Sequence, residues 1–153
     1  MNPLIDRIKE QYRLDWHGTH GWPHWVNVNR AGQQIALYHG LNANVIQLFS
    51  VFHDACRENE LDDEGHGQRG AELAFKLRGD FPILRDLSLK DFDALYVACA
   101  DHTDGKTTTD PLVGACWDAD RLDLGRVGIT PNARYLSTEA GRSIAKGLLT
   151  LVN

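Results

Sequence analysis

The chain has 153 residues, 42% of them apolar and 24% charged, and 21 Asp and Glu outweigh 16 Lys and Arg for a formal net charge of −5. That length fits one domain, taken as 1–153, with a sizeable buried core. The acidic balance and the lack of any Lys/Arg run argue against stable binding to a nucleic-acid duplex, whereas a small phosphorylated partner needs only one or two basic groups. Three widely spaced cysteines, Cys56, Cys99 and Cys116, form neither a disulfide framework nor a CxxC zinc site and read as small buried residues. The first residues, MNPLIDRIKEQYR, carry charge from position 6 and no apolar leader, and no stretch is long enough to span a bilayer. The expectation is a soluble cytoplasmic protein with no membrane partner.

Helical periodicity runs through nearly the whole chain. A first helix is expected from 3 to about 14, capped by Asn2 with Pro3 in its first turn. After a loop rich in Gly and His, a second runs from Pro23 to about 38 and stops near Gly40, with His24, Val28, Ala31, Ile35 and Tyr38 on one face. A third covers about 44 to 58, its stripe being Val45, Leu48, Phe49, Phe52, His53 and Cys56, and the acidic loop ENELDDEG follows. A fourth begins near His66 or Gln68 and continues to about 77, before a turn around Pro82. Ser88 to Asp91 resembles a capping box opening a fifth helix with Phe92, Leu95, Tyr96, Cys99 and His102 in line. Pro111 opens a sixth, striped by Leu112, Ala115, Cys116, Ala119, Asp120 and Asp123. An irregular stretch, GRVGITPNARYLS, leads to a last helix capped by Ser137 or Thr138 and ending near 149. The fold class is therefore all-α, a bundle of six to seven helices.

Four of these stripes carry a metal-ligating side chain: His24, His53, His102 and Asp120, each on a different helix. A lone buried histidine is ordinary, but burying four such groups is costly unless they relieve one another or share an ion. Helical phase also chooses among the acids of WDADRLD. Asp118 lies about 200° from Asp120 around the axis, so it faces outward or braces a neighbour, while Asp120 and Asp123 continue the stripe.

The ordered set His24, then His53-Asp54, then Asp120 resembles the H…HD…D signature of the HD-domain superfamily of metal-dependent phosphohydrolases. HGWPHWVNV, VFHDACRENE, GHGQRGAEL, ACADHTDG and CWDADRLDLGR carry the resemblance over most of residues 17–128. It implies an HD-domain bundle with the metal site in its core. A first divalent ion would be held by His24, His53, Asp54 and Asp120. A second would be held by His66 and His102, with Asp54 bridging the two and orienting the attacking water. His66, after a Gly-flanked loop, has substrate binding or helix capping as its other reading. Imidazoles and carboxylates without thiolates suit Mn, Fe, Co, Ni or Mg. In some HD nucleotidases a glutamate stands four residues after the HD histidine, and here that position is Arg57, followed by Glu58. Arg57 either meets a substrate phosphate or pairs with the acidic loop.

Lys106, Arg121, Arg69 and Arg126 are further candidates for phosphate charge, and His20 for the site mouth, each with solvent exposure as its plain alternative. Trp16, Trp22 and Trp25 read as core packing rather than a base-stacking platform, and His17 and His39 as surface residues. The leading expectation is a phosphohydrolase acting on a nucleotide or related small phosphoester. The alternatives are a di-iron oxygenase built on the same ligand set and a non-catalytic nucleotide sensor.

Overall fold

The computed structural model describes residues 3–152. Among them, eight α-helices and no strand are found: α1 Pro3–Gln11, α2 Trp22–His39, α3 Ala43–Phe52, α4 His66–Leu77, α5 Pro82–Arg85, α6 Leu89–Asp101, α7 Pro111–Arg121 and α8 Glu139–Ala145. The all-α reading holds, with one short helix, α5, added where a turn was expected. The irregular stretch after α7 contains two 3-10 turns, Leu124–Val127 and Ala133–Tyr135. The cap expected at Asn2 lies outside the described residues. No described helix is long and apolar enough to cross a membrane.

Side-chain caps explain where four of the helices begin. Asn42 accepts a hydrogen bond from Asn44 N, Ser88 from Asp91 N, Asp110 from Leu112 N and Val113 N, and Thr138 from Gly141 N. At the other end of α2, Gly40 takes a left-handed conformation (φ 66°) that closes the helix. α2 packs on α3 and α7, α3 also meets α6, and α4 lies along α6. Their inward faces share one apolar cluster that includes Val28, Ile35, Ile46, Phe49, Phe52 and Leu95.

Three helices stop earlier than their periodicity suggests. α1 ends at Gln11 rather than near 14, and α8 at Ala145 rather than near 149. More consequentially, α3 ends at Phe52, so His53 and Asp54 occupy a tight turn beyond its last residue instead of the middle of a longer helix. Bonds of the shorter i to i−3 kind take over there, from Ala55 N to Phe52 O and from Arg57 N to Asp54 O, both 3.2 Å. Ala55 is buried and Cys56 half-buried, so the apolar pattern runs on after the helix has stopped. Cys99 and Cys116 are buried as expected, and all three cysteines are free thiols.

Asp118 corrects the phase argument in part. It is fully buried, not outward-facing, and its carboxylate accepts from Ser137 N, Thr138 N and Thr138 Oγ1, each at 2.7 Å. It thus braces the turn that starts α8. Asp118→Ala leaves buried donors unpaired, and we expect a loss of about 2–3 kcal/mol in chemical denaturation with metal uptake unchanged. A variant with wild-type stability would show that the brace contributes nothing. His17 is exposed as expected, whereas His39 is half-buried and its Nε2 accepts from Ala140 N, tying the end of α2 to α8. The tryptophans pack with Tyr12: Trp16 stacks on Trp22 at 5.6 Å and meets Trp25 edge-on at 5.2 Å.

Candidate metal centre and cleft

All six side chains expected as ligands come together, and each stands at or near a helix end. His24 is in the first turn of α2 and His53 and Asp54 follow α3. His66 opens α4, His102 follows α6, and Asp120 is in the last turn of α7. Two glycines let α4 come close enough. A Cβ at Gly67 would collide with the carbonyl oxygen of Cys99, and one at Gly70 with that of Phe52. This contact sets His66 against both His102 and the His53-Asp54 turn.

The donor atoms fall into two groups, His24, His53 and Asp120 in one and Asp54, His66 and His102 in the other. In the first, His24 Nε2 lies 3.1 Å from His53 Nε2 and 3.2 Å from Asp120 Oδ1. In the second, His66 Nε2 lies 3.0 Å from His102 Nε2 and 3.2 Å from Asp54 Oδ1. Asp54 joins them, because its other oxygen, Oδ2, faces His53 Nε2 at 3.5 Å and His24 Nε2 at 3.7 Å. Ligands at right angles around an ion with bonds of about 2.1 Å stand about 3 Å apart.

Hydrogen bonding on the far side of each ring aims these nitrogens. His24 Nδ1 donates to Asp123 Oδ2 (2.7 Å), His53 Nδ1 to the carbonyls of Phe49 and Ser50 (both 3.1 Å), His66 Nδ1 to Asp63 O (2.6 Å) and His102 Nδ1 to Cys99 O (2.8 Å). With Nδ1 protonated, every Nε2 of the neutral rings presents a lone pair inward. Two lone pairs facing each other at about 3 Å need a proton or a cation between them. Asp54 Oδ1 makes the same demand: it is a buried oxygen without a hydrogen-bond partner. The donor set therefore fits a divalent ion in each group.

Asp123 is the residue the sequence reading passed over. It was on the α7 stripe, but as a partner of Asp120 and not as the support of His24. It also accepts from Asn27 Nδ2 at 3.0 Å, so its carboxylate is held while it orients the His24 ring.

Electrostatics follow from burial and from these neighbours. Burial alone would lower the His24 pKa, but the hydrogen bonds to Asp120 and Asp123 overcome it and raise it from 6.5 to about 8. Burial wins at His53, dropping it to about 3 despite Asp54 and Asp120. Burial pushes the Asp54 and Asp120 carboxyls up, yet the surrounding histidines outweigh it and hold both well below the usual carboxylate range.

A cleft of about 560 Å³ opens onto the centre, lined by Asp54, His66, His102 and Asp120 together with His20, Arg57 and the acidic loop. His20 is among the cleft residues, its Nδ1 donating to the Glu60 carboxylate. Arg57 is buried, and it pairs with none of the five acids of its loop. It donates to Leu61 O (2.8 Å) and Asn59 O (3.4 Å) and turns one nitrogen toward His66 and Asp54. The remaining cations are not brought to the centre in the way expected. Lys106 is exposed and is not among the cleft residues. Arg121 lines the cleft, but its guanidinium is spent on the carbonyls of His102, Gly105, Lys106 and Tyr135. Arg69 is tied to Asp63 and to the carbonyls of Cys56 and Glu64, and Arg126 to the carbonyls of Thr19 and Asp123. Loop carbonyls have no periodic signature, so nothing in the sequence marked these arginines as occupied.

The fold and the centre together define a helical bundle whose core gathers histidines and aspartates fit for divalent ions beneath an open cleft. The chain has the fold of a crystal structure described as a predicted HD superfamily hydrolase, from an uncultured Thermotogales bacterium. The two share 21% identity at a TM-score of 0.72, over 95% of this chain and 82% of the other. This likeness gives the HD-domain fold. No family profile and no curated protein matches the chain.

Proposed function

We propose that this protein is a metal-dependent phosphohydrolase acting on a small phosphoester, a nucleotide or a related metabolite. The observation that carries the reading is Asp54: one buried carboxylate whose two oxygens face two histidine groups, with Oδ1 lacking any hydrogen-bond partner. His24, His53, Asp54 and Asp120 would hold one ion, while Asp54, His66 and His102 offer a second set of donors beside it. Bound divalent ions supply Lewis acidity and a water that loses its proton near neutral pH. The chain's own residues do the rest. Asp54 stands where it can accept a hydrogen bond from the attacking water and fix its direction. Arg57 offers a guanidinium beside Asp54 to an anionic oxygen of the substrate. His20, held by Glu60, narrows the mouth. Asp123 and the backbone carbonyls behind the other histidines keep every Nε2 aimed inward.

The test is elemental analysis of protein purified without a histidine tag, followed by phosphate release from a panel of small phosphoesters in Mn, Co, Ni, Fe or Mg. Uptake of at least one ion per chain with metal-dependent phosphate release is the expected result. Iron binding with oxygen consumption and no phosphate release would replace hydrolysis by oxygenation. Failure to take up any ion would end the enzyme reading.

A further inference from the structure

The two donor groups differ in one respect that bears on how many ions they hold. Arg57 Nη1 lies 3.0 Å from His66 Nε2 and 3.6 Å from Asp54 Oδ1. The guanidinium thus lies close beside the second donor group, in which His66 Nε2 is 3.0 Å from His102 Nε2 and 3.2 Å from Asp54 Oδ1. With His66 Nδ1 donating to Asp63 O, Arg57 Nη1 sits against the imidazole face, 3.3 Å from Nδ1 as well as 3.0 Å from Nε2, and so places a cation beside the second donor group without taking the Nε2 lone pair. The guanidinium is not a loose surface charge. It is buried, and Leu61 O and Asn59 O hold it from the loop side.

The first group has no comparable competitor. On this side Arg126 faces Asp123 at 3.8 Å. The first group also has more negative charge to offer, with Asp120 entire and one oxygen of Asp54. The second group has only the other oxygen of that shared carboxylate.

Resting on the metal-centre reading above, we infer that Arg57 stands in for the second ion, so that the protein holds one ion tightly, at His24, His53, Asp54 and Asp120, with a fixed guanidinium on the Asp54, His66 and His102 side. Two like charges a few ångströms apart in a buried site repel strongly. An ion entering the second group must displace the guanidinium from His66 or tolerate it as a neighbour. A substrate oxygen reaching this side of the centre meets an arginine that binds anions by hydrogen bonds as well as by charge.

The experiment is a Co(II) titration of ion-free full-length protein, read by calorimetry and by visible absorption, for wild type, Arg57→Gln and Arg57→Lys. Wild type is expected to show one tight site per chain. Arg57→Gln is expected to show two, with the second ion bound at least about tenfold more tightly than in wild type. Arg57→Lys, which keeps a charge on a more flexible stem, should fall between them. The first ion serves as the internal control for folding, and should Arg57→Gln not fold, the wild-type stoichiometry decides. Two wild-type sites of comparable affinity would overturn the inference. So would an unchanged second site in Arg57→Gln that still binds its first ion. No uptake by any of the three would overturn the metal-centre reading itself, which is a separate result.

Discussion

Asp54→Asn is expected to cost more than about 100-fold in affinity for the first ion and more than about 1000-fold in turnover, while the protein still folds. The substitution keeps the shape of the side chain. It removes the one charge shared by both groups and turns an acceptor oxygen into an NH2 that points its hydrogens at histidine lone pairs. Outer supports of a metal ligand typically cost 10–100-fold in affinity when lost, and a ligand oxygen should exceed that. Loss of the stabilising charge at the reacting centre adds to the effect on turnover. The carboxylate is surrounded by His53, His66, His102 and His24, whose combined pull already overrides the cost of its burial. Elemental analysis, a phosphate-release assay and a thermal melt on one preparation check the three parts of this prediction. Near-normal turnover with metal retained would remove Asp54 from the centre, and with it the main support for hydrolysis.

The helical architecture was legible because it rests on periodicity; of the six convergent residues, phase marked His24, His53, His102 and Asp120, while Asp54 and His66 came only from the resemblance to HD-domain proteins. His24, His102 and Asp120 were placed by phase alone, and the structure brings them to one centre. His53-Asp54 was placed there for a partly wrong reason. The pair works from a turn beyond α3, and the apolar Ala55 and half-apolar Cys56 extended the helical pattern past its real end. Asp118 shows the limit of phase arguments. An acid off the inward stripe of α7 can still be fully buried when another segment, here 137–138, covers that side. The arginines were the least legible. A guanidinium can satisfy five donors on backbone carbonyls from any segment, and Arg121 does so with loop residues as far as Tyr135. Charge in the sequence therefore marked Arg69, Lys106 and Arg121 as phosphate candidates, whereas the fold leaves Arg57 as the guanidinium facing both Asp54 and His66.

Binding of the first ion is expected to release a proton, and its affinity to rise about tenfold per pH unit until the pH passes about 8, where it levels off. The origin is His24. Its pKa is raised to about 8 because Asp120 and Asp123 accept its two N–H groups, against the opposing effect of burial. Near neutral pH the ion-free ring is mostly protonated, and its Nε2 proton occupies the space between Asp120 Oδ1 and His53 Nε2 that an ion would take. His53, lowered to about 3, is already neutral and contributes no proton in this range. Calorimetry at pH 7 in buffers of different ionisation enthalpy reads the release directly, and heats independent of the buffer would show that His24 enters the reaction neutral. The same shifts fix the sign for stability. His24 is raised above its ordinary 6.5, so its contribution is full below pH 6.5 and is lost as the pH rises through about 8, an amount of about 2 kcal/mol. His53 is lowered, so its contribution is full above pH 6.5 and is lost as the pH falls toward about 3. The ion-free protein should therefore be most stable near pH 6.5, while the loaded protein, in which an ion replaces the proton, keeps its stability to higher pH. Asp123→Asn removes the charge on one of the two acceptors that raise His24, and should move the affinity plateau to lower pH even as it weakens the aim of the ring.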